Sequence, residues 1–262
     1  VHKLVATDLD GTLLHTDGTV TPRTRAALTA VEELGVTVVF VTGRPIRWMR
    51  ELWEHVGDHG LAVCSNGGIV YDVPARAVRS ARPIPVDVGL RVADLLREAV
   101  PGTTFALEKT TGFGKEPSFM ERYPLPPDIQ VGPLDEIFDD GTVKLLARHE
   151  ELDPERFWVA TERAVGHLVT TTWSSTGALV EISAAGVTKA TTLALLCDEL
   201  GLVTDDVVAF GDMPNDLAML AWAGTSYAMA NAHPSVLELA DHVAASNEDD
   251  GVAAALEELF GL

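Results

Sequence analysis

Apolar positions along the chain follow two alternating patterns: short runs rich in β-branched residues, and longer stretches of helical period. Residues 3–8 (KLVATD) read as a strand that ends in an aspartate. Residues 36–42 (VTVVFVT) read as a strand buried on both faces, the kind found in parallel sheets. Between them, Thr21 and Pro22 supply an N-cap and a first helical position. Ala27, Leu28, Val31 and Leu34 form a helical face, and Gly35 stops it. A helix over about 45–55 and a strand at 61–65, ending at Ser65-Asn66-Gly67-Gly68, continue the series. This β-α-β rhythm predicts an α/β fold with a doubly wound parallel sheet.

The rhythm changes after about residue 83. Helices at 87–99 and 154–165 accompany strand-like segments near 103–108, 142–148, 167–174 and 179–183. The Gly- and Pro-rich stretch 110–135 predicts no clear element. Alternation then resumes with a helix at 189–200, a strand at 206–211 and a helix at 215–222. Strands near 225–229 and 242–245 and a helix at 250–260 complete it. The expected organisation is a core of residues 1–83 and 185–262, interrupted by an α/β insertion at 84–184.

Composition narrows the function classes. A chain of 262 residues, 47% hydrophobic, can bury one large core or two modest ones. Nineteen bases against 39 acids give a net charge of −20, which argues against a generic nucleic-acid surface. No uncharged apolar run is long enough for a membrane-spanning helix, and the short N-terminal apolar stretch reads as a strand, not a secretory signal. Cys64 and Cys197 lack ligand spacing and read as core residues of a cytoplasmic protein. The histidines are scattered, with His55 and His59 neighbours at most, and the tryptophans read as packing. Lys109, Lys115 and Arg122 are weak candidates for meeting an anionic substrate. Glu248, Asp249 and Asp250 read as a cap for the last helix.

Charge distribution singles out one base. After Arg163 the only Lys or Arg is Lys189, beside fourteen acids in 164–262. It stands at the start of a helix, where the dipole favours negative charge, so an anionic partner is expected.

Candidate chemistry sits at strand ends, where open α/β sheets bind ligands. Asp8-Leu9-Asp10-Gly11-Thr12 follows the first strand. Carboxylates at i and i+2 converge on one side, and such oxygen-rich sites suit Mg²⁺. Thr42-Gly43-Arg44 follows the second strand, with a hydroxyl and backbone N–H groups suited to phosphate oxygens. Asn66-Gly67-Gly68 is a weaker signal of the same kind. Gly211-Asp212-Met213-Pro214-Asn215-Asp216 adds two carboxylates and an amide after another strand.

In this order the motifs resemble those of the haloacid-dehalogenase superfamily, in particular its Cof-type sugar-phosphatase-like branch with a large α/β cap of the C2 type. The matching residues are DLDGT at 8–12, Thr42 of VTGR, Lys189 of GVTK and GDMPND at 211–216. NGG at 66–68 and AMANAHPSV at 228–236 extend the likeness across the core. The resemblance implies a Rossmann-like core and a mobile cap that closes over the active site. Asp8 would be the nucleophile that forms an aspartyl-phosphate. Asp10 would be the general acid and base, its backbone carbonyl joining Asp8 and Asp212 in holding Mg²⁺. Leu9, Thr42, Gly43, Lys189 and Asn215 would hold the phosphoryl oxygens, with Arg44, Asn66 and Asp216 in support. The implied reaction is hydrolysis of a small phosphorylated metabolite, such as a sugar phosphate, with neither nucleic acid nor membrane as partner. A phosphomutase or phosphotransferase on the same core, or a phosphate-binding regulator without turnover, are the alternatives.

Overall fold

The computed structural model describes residues 2–56, 60–125, 127–173 and 177–262, so His59 lies outside the described residues. The chain divides into two compact units, Val1–Ser80 with Lys189–Leu262, and Ala81–Thr188. No helix among the described residues is long and apolar enough to cross a membrane.

The first unit opens with β1 (Leu4–Thr7), α1 (Pro22–Glu33), β2 (Thr37–Val41), α2 (Ile46–Val56) and β3 (Leu61–Cys64), followed by β4 (Ile69–Asp72) and β5 (Ala77–Ala81). The second contains α3 (Val86–Ala99), β6 (Thr104–Lys109), β7 (Phe113–Lys115), β8 (Ile129–Val131), α4 (Leu134–Ile137), β9 (Thr142–Arg148), α5 (Pro154–Val165), β10 (Val169–Thr172) and β11 (Leu179–Ala184). The chain then returns through α6 (Lys189–Leu200), β12 (Val207–Gly211), α7 (Leu217–Trp222), β13 (Thr225–Met229), α8 (Pro234–Leu239), β14 (His242–Ala244) and α9 (Gly251–Phe260).

One sheet runs β14-β13-β12-β1-β2-β3-β4-β5. The strands from β14 to β3 pair in parallel, and β1, β3 and β12 are buried along their whole length. Sequence order reverses at β1, which has β2 on one side and β12 on the other. That switch point leaves a crevice at the carboxyl ends of the strands. Register keeps those ends level, with Thr7 paired to both Phe40 and Phe210. Thr21 caps α1 as expected, its side chain accepting from the Thr24 N–H.

The expected parallel sheet extends from β14 to β3; beyond it β4 runs antiparallel to β3, because the short turn Ser65–Gly67 between them leaves no room for a crossover. Two local readings differ from the structure. The stretch 110–135 contains β7 and β8. The acidic cluster does not cap α9 with its side chains. Asp250 adopts a left-handed conformation (φ 55°) and its carboxylate accepts instead from Thr21, Thr24 and His15.

In the second unit a six-stranded sheet runs β10-β11-β9-β6-β7-β8. Phe105, Leu107, Leu145, Ala147, Val180 and Ile182 alternate onto one face and bury a core with Val92, Leu96 and Phe157 of α3 and α5. The bases considered for an anionic substrate are committed here. Lys109 is buried against Gln130, the Ile137 carbonyl and Asp139, Lys115 donates to the Phe119 carbonyl, and Arg122 pairs with exposed Glu150. Trp158 and Trp173 stack on each other at 6.4 Å, while Trp53 of the first unit packs on Phe40.

Candidate active site

The level strand ends bring the first and last motifs together. The Asp8 N–H donates to the Phe210 carbonyl at 3.0 Å, so β1 and β12 stay paired up to Asp8. Asp8, Asp212 and Asp216 each place a carboxylate oxygen within 4.8 Å of the others, and all three are buried. Lys189, at the start of α6, enters this cluster with its side chain 2% exposed. Its ammonium donates to Asp8 Oδ1 at 2.6 Å and to Asp216 Oδ1 at 2.7 Å. The conflict with the helix dipole is thus resolved by two carboxylates.

Asp216 is fully occupied. Its Oδ2 accepts the N–H groups of Asp212 and Met213, each at 3.1 Å, which fixes the turn that presents Asp212. Thr12 Oγ1 donates to Asp212 Oδ1 at 2.9 Å. Gly11 makes the close passage of this loop possible. It has φ +75°, and a Cβ there would sit 2.4 Å from Asp212 Oδ2.

One ammonium cannot balance three carboxylates. Burial raises the Asp8 pKa well above the usual range; Lys189 opposes the rise, and the Asp216 and Asp212 charges add to it. Burial and the Asp216 charge push Asp212 up to about 6, against the Thr12 hydrogen bond. Burial would lower the Lys189 pKa, but the Asp216 and Asp8 charges outweigh it and raise the value, so the ammonium stays charged. A buried, all-oxygen donor set short of positive charge fits a hard divalent cation such as Mg²⁺.

The second strand end faces Asp10. Thr42 Oγ1 accepts the Arg44 N–H at 3.0 Å, which turns the chain sharply after β2. The Arg44 guanidinium grips Asp10 through Nε to Oδ2 at 2.8 Å and Nη2 to Oδ1 at 2.5 Å. That hydrogen bonding raises the Arg44 pKa against its partial burial. The third strand end is stitched to the second, Ser65 N–H donating to the Arg44 carbonyl and Asn66 N–H to the Thr42 carbonyl, both at 3.0 Å. Ser65, Asn66 and Gly67 all have positive φ (54°, 54° and 102°), a conformation unfavourable for the first two. It brings Asn66 Oδ1 to 3.5 Å from Asn215 Nδ2, and a Cβ on Gly43 would lie 3.1 Å from the same oxygen.

The candidate residues therefore fall into two groups. Asp8, Asp212, Asp216 and Lys189 form one, while Thr42, Gly43, Arg44, Asn66 and Asn215 line the adjoining loops, with Asp10 reached through Arg44. Leu9 contributes no side chain to either. Its side chain is fully buried, and its carbonyl accepts from the N–H groups of Thr12 and Leu14. Two supports were not singled out from sequence although both lie inside quoted motifs. Thr12 orients Asp212, and Asn231 Nδ2 donates to the Gly11 carbonyl at 2.8 Å. A hydroxyl right after the DLDG turn and an amide beside a strand end were the available signals.

Known proteins resemble this chain along nearly its whole length. A family model described as haloacid dehalogenase-like hydrolase matches residues 5–256. Pyridoxal phosphate phosphatase YbhA of Escherichia coli is 31% identical over 265 residues, covering 96% of each chain. The Bacillus subtilis 5-amino-6-(5-phospho-D-ribitylamino)uracil phosphatase YcsE is 30% identical over 97% of this chain and 94% of its own. The solved structure of the HAD subclass IIB sugar phosphatase BT4131 shares the fold with a TM-score of 0.79 at 20% identity, covering 99% of both chains. With a match spanning nearly its whole length and relatives that are named phosphatases, this chain belongs to the haloacid dehalogenase-like hydrolases.

Proposed function

We propose that this phosphatase hydrolyses a small phosphomonoester in two displacements on Asp8. The observation that carries the reading is the buried Lys189 bridging Asp8 and Asp216 beside Asp212. A carboxylate attacks an anionic phosphate poorly until positive charge offsets the repulsion. Lys189 supplies part of that charge from a fixed position. Asp8, Asp212 and the backbone carbonyl of Asp10 would hold Mg²⁺, which when bound supplies the remaining neutralisation. Asp216, already occupied on both oxygens, supports Lys189 and the Asp212 turn.

In the first displacement an Asp8 oxygen forms a bond to phosphorus as the ester oxygen departs with the bonding pair and takes a proton from Asp10. In the second, Asp10 takes a proton from water as that water attacks phosphorus. Phosphate leaves and the Asp8 carboxylate is restored. The main chain at Leu9 and Gly43, with Thr42, Lys189 and Asn215, would bind the phosphoryl oxygens. Residues 84–184 are assigned the selection of substrate, and the remainder of the chain the chemistry.

The names of the relatives support the substrate class. Pyridoxal phosphate and the phosphoribitylamino uracil are both phosphomonoesters of small metabolites. The subclass IIB sugar phosphatase fold favours a sugar phosphate or a related metabolite. The test is Mg²⁺-dependent phosphate release from p-nitrophenyl phosphate and a panel of sugar phosphates, wild type beside Asp8→Asn. Metal-dependent turnover absent from the variant is expected. An isomeric sugar phosphate in place of free phosphate would move the assignment to a mutase.

A further inference from the structure

We infer that Arg44 is a positioning residue for Asp10, holding its carboxylate in one orientation for proton transfer; the inference rests on the two-displacement reading above. Asp10 differs from the other aspartates of the site. Its side chain is 58% exposed, and it lies two residues from Asp8 and close enough to Asp212 for the two charges to interact. Repulsion between them would swing an untethered carboxylate toward solvent. Two near-parallel N–H···O bonds from one planar guanidinium remove that freedom, because they fix the carboxylate plane as well as its distance.

The main chain that carries this guanidinium is anchored. The Arg44 N–H donates to Thr42 Oγ1 and the Arg44 carbonyl accepts from the Ser65 N–H, so the residue is tied to the ends of both β2 and β3. Its side chain is 24% exposed. An ammonium in this place could offer only a point charge, so lysine would keep the attraction and lose the planar fork.

Leaving-group chemistry separates this role from phosphate binding and from general scaffolding. An alkyl phosphate needs its ester oxygen protonated as it leaves, whereas p-nitrophenolate departs with little help. The experiment measures kcat/KM with Mg²⁺ on p-nitrophenyl phosphate and on an alkyl phosphomonoester the wild type accepts. The proteins are wild type, Arg44→Ala, Arg44→Lys, Asp10→Asn and the Asp10→Asn/Arg44→Ala double variant.

For Arg44→Ala a loss of about 10²-fold is expected on the alkyl ester. The loss on the aryl ester is expected to be several times smaller, with Arg44→Lys between Arg44→Ala and wild type. In the Asp10→Asn background, Arg44→Ala adds nothing further. Equal losses on both esters, or a full additional loss without the Asp10 carboxylate, overturn the inference while leaving the phosphatase reading intact. A wild type with no metal-dependent turnover on either ester overturns both. Should Arg44→Ala not fold, Arg44→Lys compared in the two Asp10 backgrounds decides the question alone.

Discussion

Lys189 and Asp216 form a 2.7 Å ion pair that water barely reaches, their side chains being 2% and 0% exposed. The pair also ties α6 to the turn after β12, since the other Asp216 oxygen binds the Asp212 and Met213 N–H groups. Lys189→Met leaves Asp8 and Asp216 buried without a counter-charge. It is expected to lower the unfolding free energy by about 3–5 kcal/mol, as when one partner of a buried pair is removed. Urea denaturation measures this, and a loss below about 1 kcal/mol would show that the pair contributes little.

Crowded carboxylates store repulsion that a cation relieves. Asp212→Asn removes one buried negative charge while retaining an oxygen that can accept from Thr12. In EDTA the variant is expected to melt above the wild type. With Mg²⁺ the order reverses, because binding to the native state stabilises by RT ln(1 + [L]/Kd), about 2.7 kcal/mol at a hundred times Kd. Thermal melts in both conditions check this. An Asp212→Asn protein that Mg²⁺ stabilises as much as the wild type would remove Asp212 from the metal's ligands.

Gly11 and Gly18 separate backbone strain from steric intrusion. Both have positive φ, +75° and +83°, but only at Gly11 does an added Cβ meet a neighbour, at 2.4 Å from Asp212 Oδ2; at Gly18 nothing lies within 4 Å. Gly18→Ala is expected to cost about 1–2 kcal/mol of stability and to leave Mg²⁺ binding unchanged. Gly11→Ala carries the same strain and also displaces Asp212. Calorimetric titration should show its Mg²⁺ affinity reduced at least about tenfold, a difference of 1.4 kcal/mol.

Asp250 makes part of the stability dependent on pH. Burial would raise its pKa, but hydrogen bonds from Thr21, His15 and Thr24 outweigh it and hold the carboxylate below its ordinary value. A carboxyl whose folded pKa is lowered adds stability that is fully present above the unfolded value, about 3.9, and fades as pH falls through the folded one. The stability gap between wild type and Asp250→Asn should therefore shrink as pH is lowered from about 5 to 3. Denaturation across that range would show it, and a constant gap would exclude the carboxylate as its source.

What could be read from the sequence was whatever is written locally. Asp8, Thr42 and Asp212 each follow a continuous apolar run, so the strand ends and their chemistry were visible together. Lys189 stood out because no other base follows Arg163. Contacts between separate strand ends had no local signature. The fork between Arg44 and Asp10 depends on how β1 and β2 align, and the Asn66–Asn215 approach on a turn with three successive positive φ values. β4 and β5 escaped notice because β5 is exposed along its length and lacks an apolar run, while β4 merges into the turn before it. β7 and β8, three residues each, are too short for a period to register.

The place of β1 in the middle of the sheet has a consequence for how the protein is made. Its partner β2 is translated soon afterwards, but β12 pairs Val207 with Leu4, some 200 residues later. At about 5–20 residues per second the ribosome leaves that edge of β1 uncovered for about 10–40 s. During this interval Ala81–Thr188 emerges whole and has its own core to bury. The nascent chain thus carries one finished unit and one half-built sheet with an apolar edge, a species that favours chaperone capture or strand exchange between neighbouring polypeptides on a polysome.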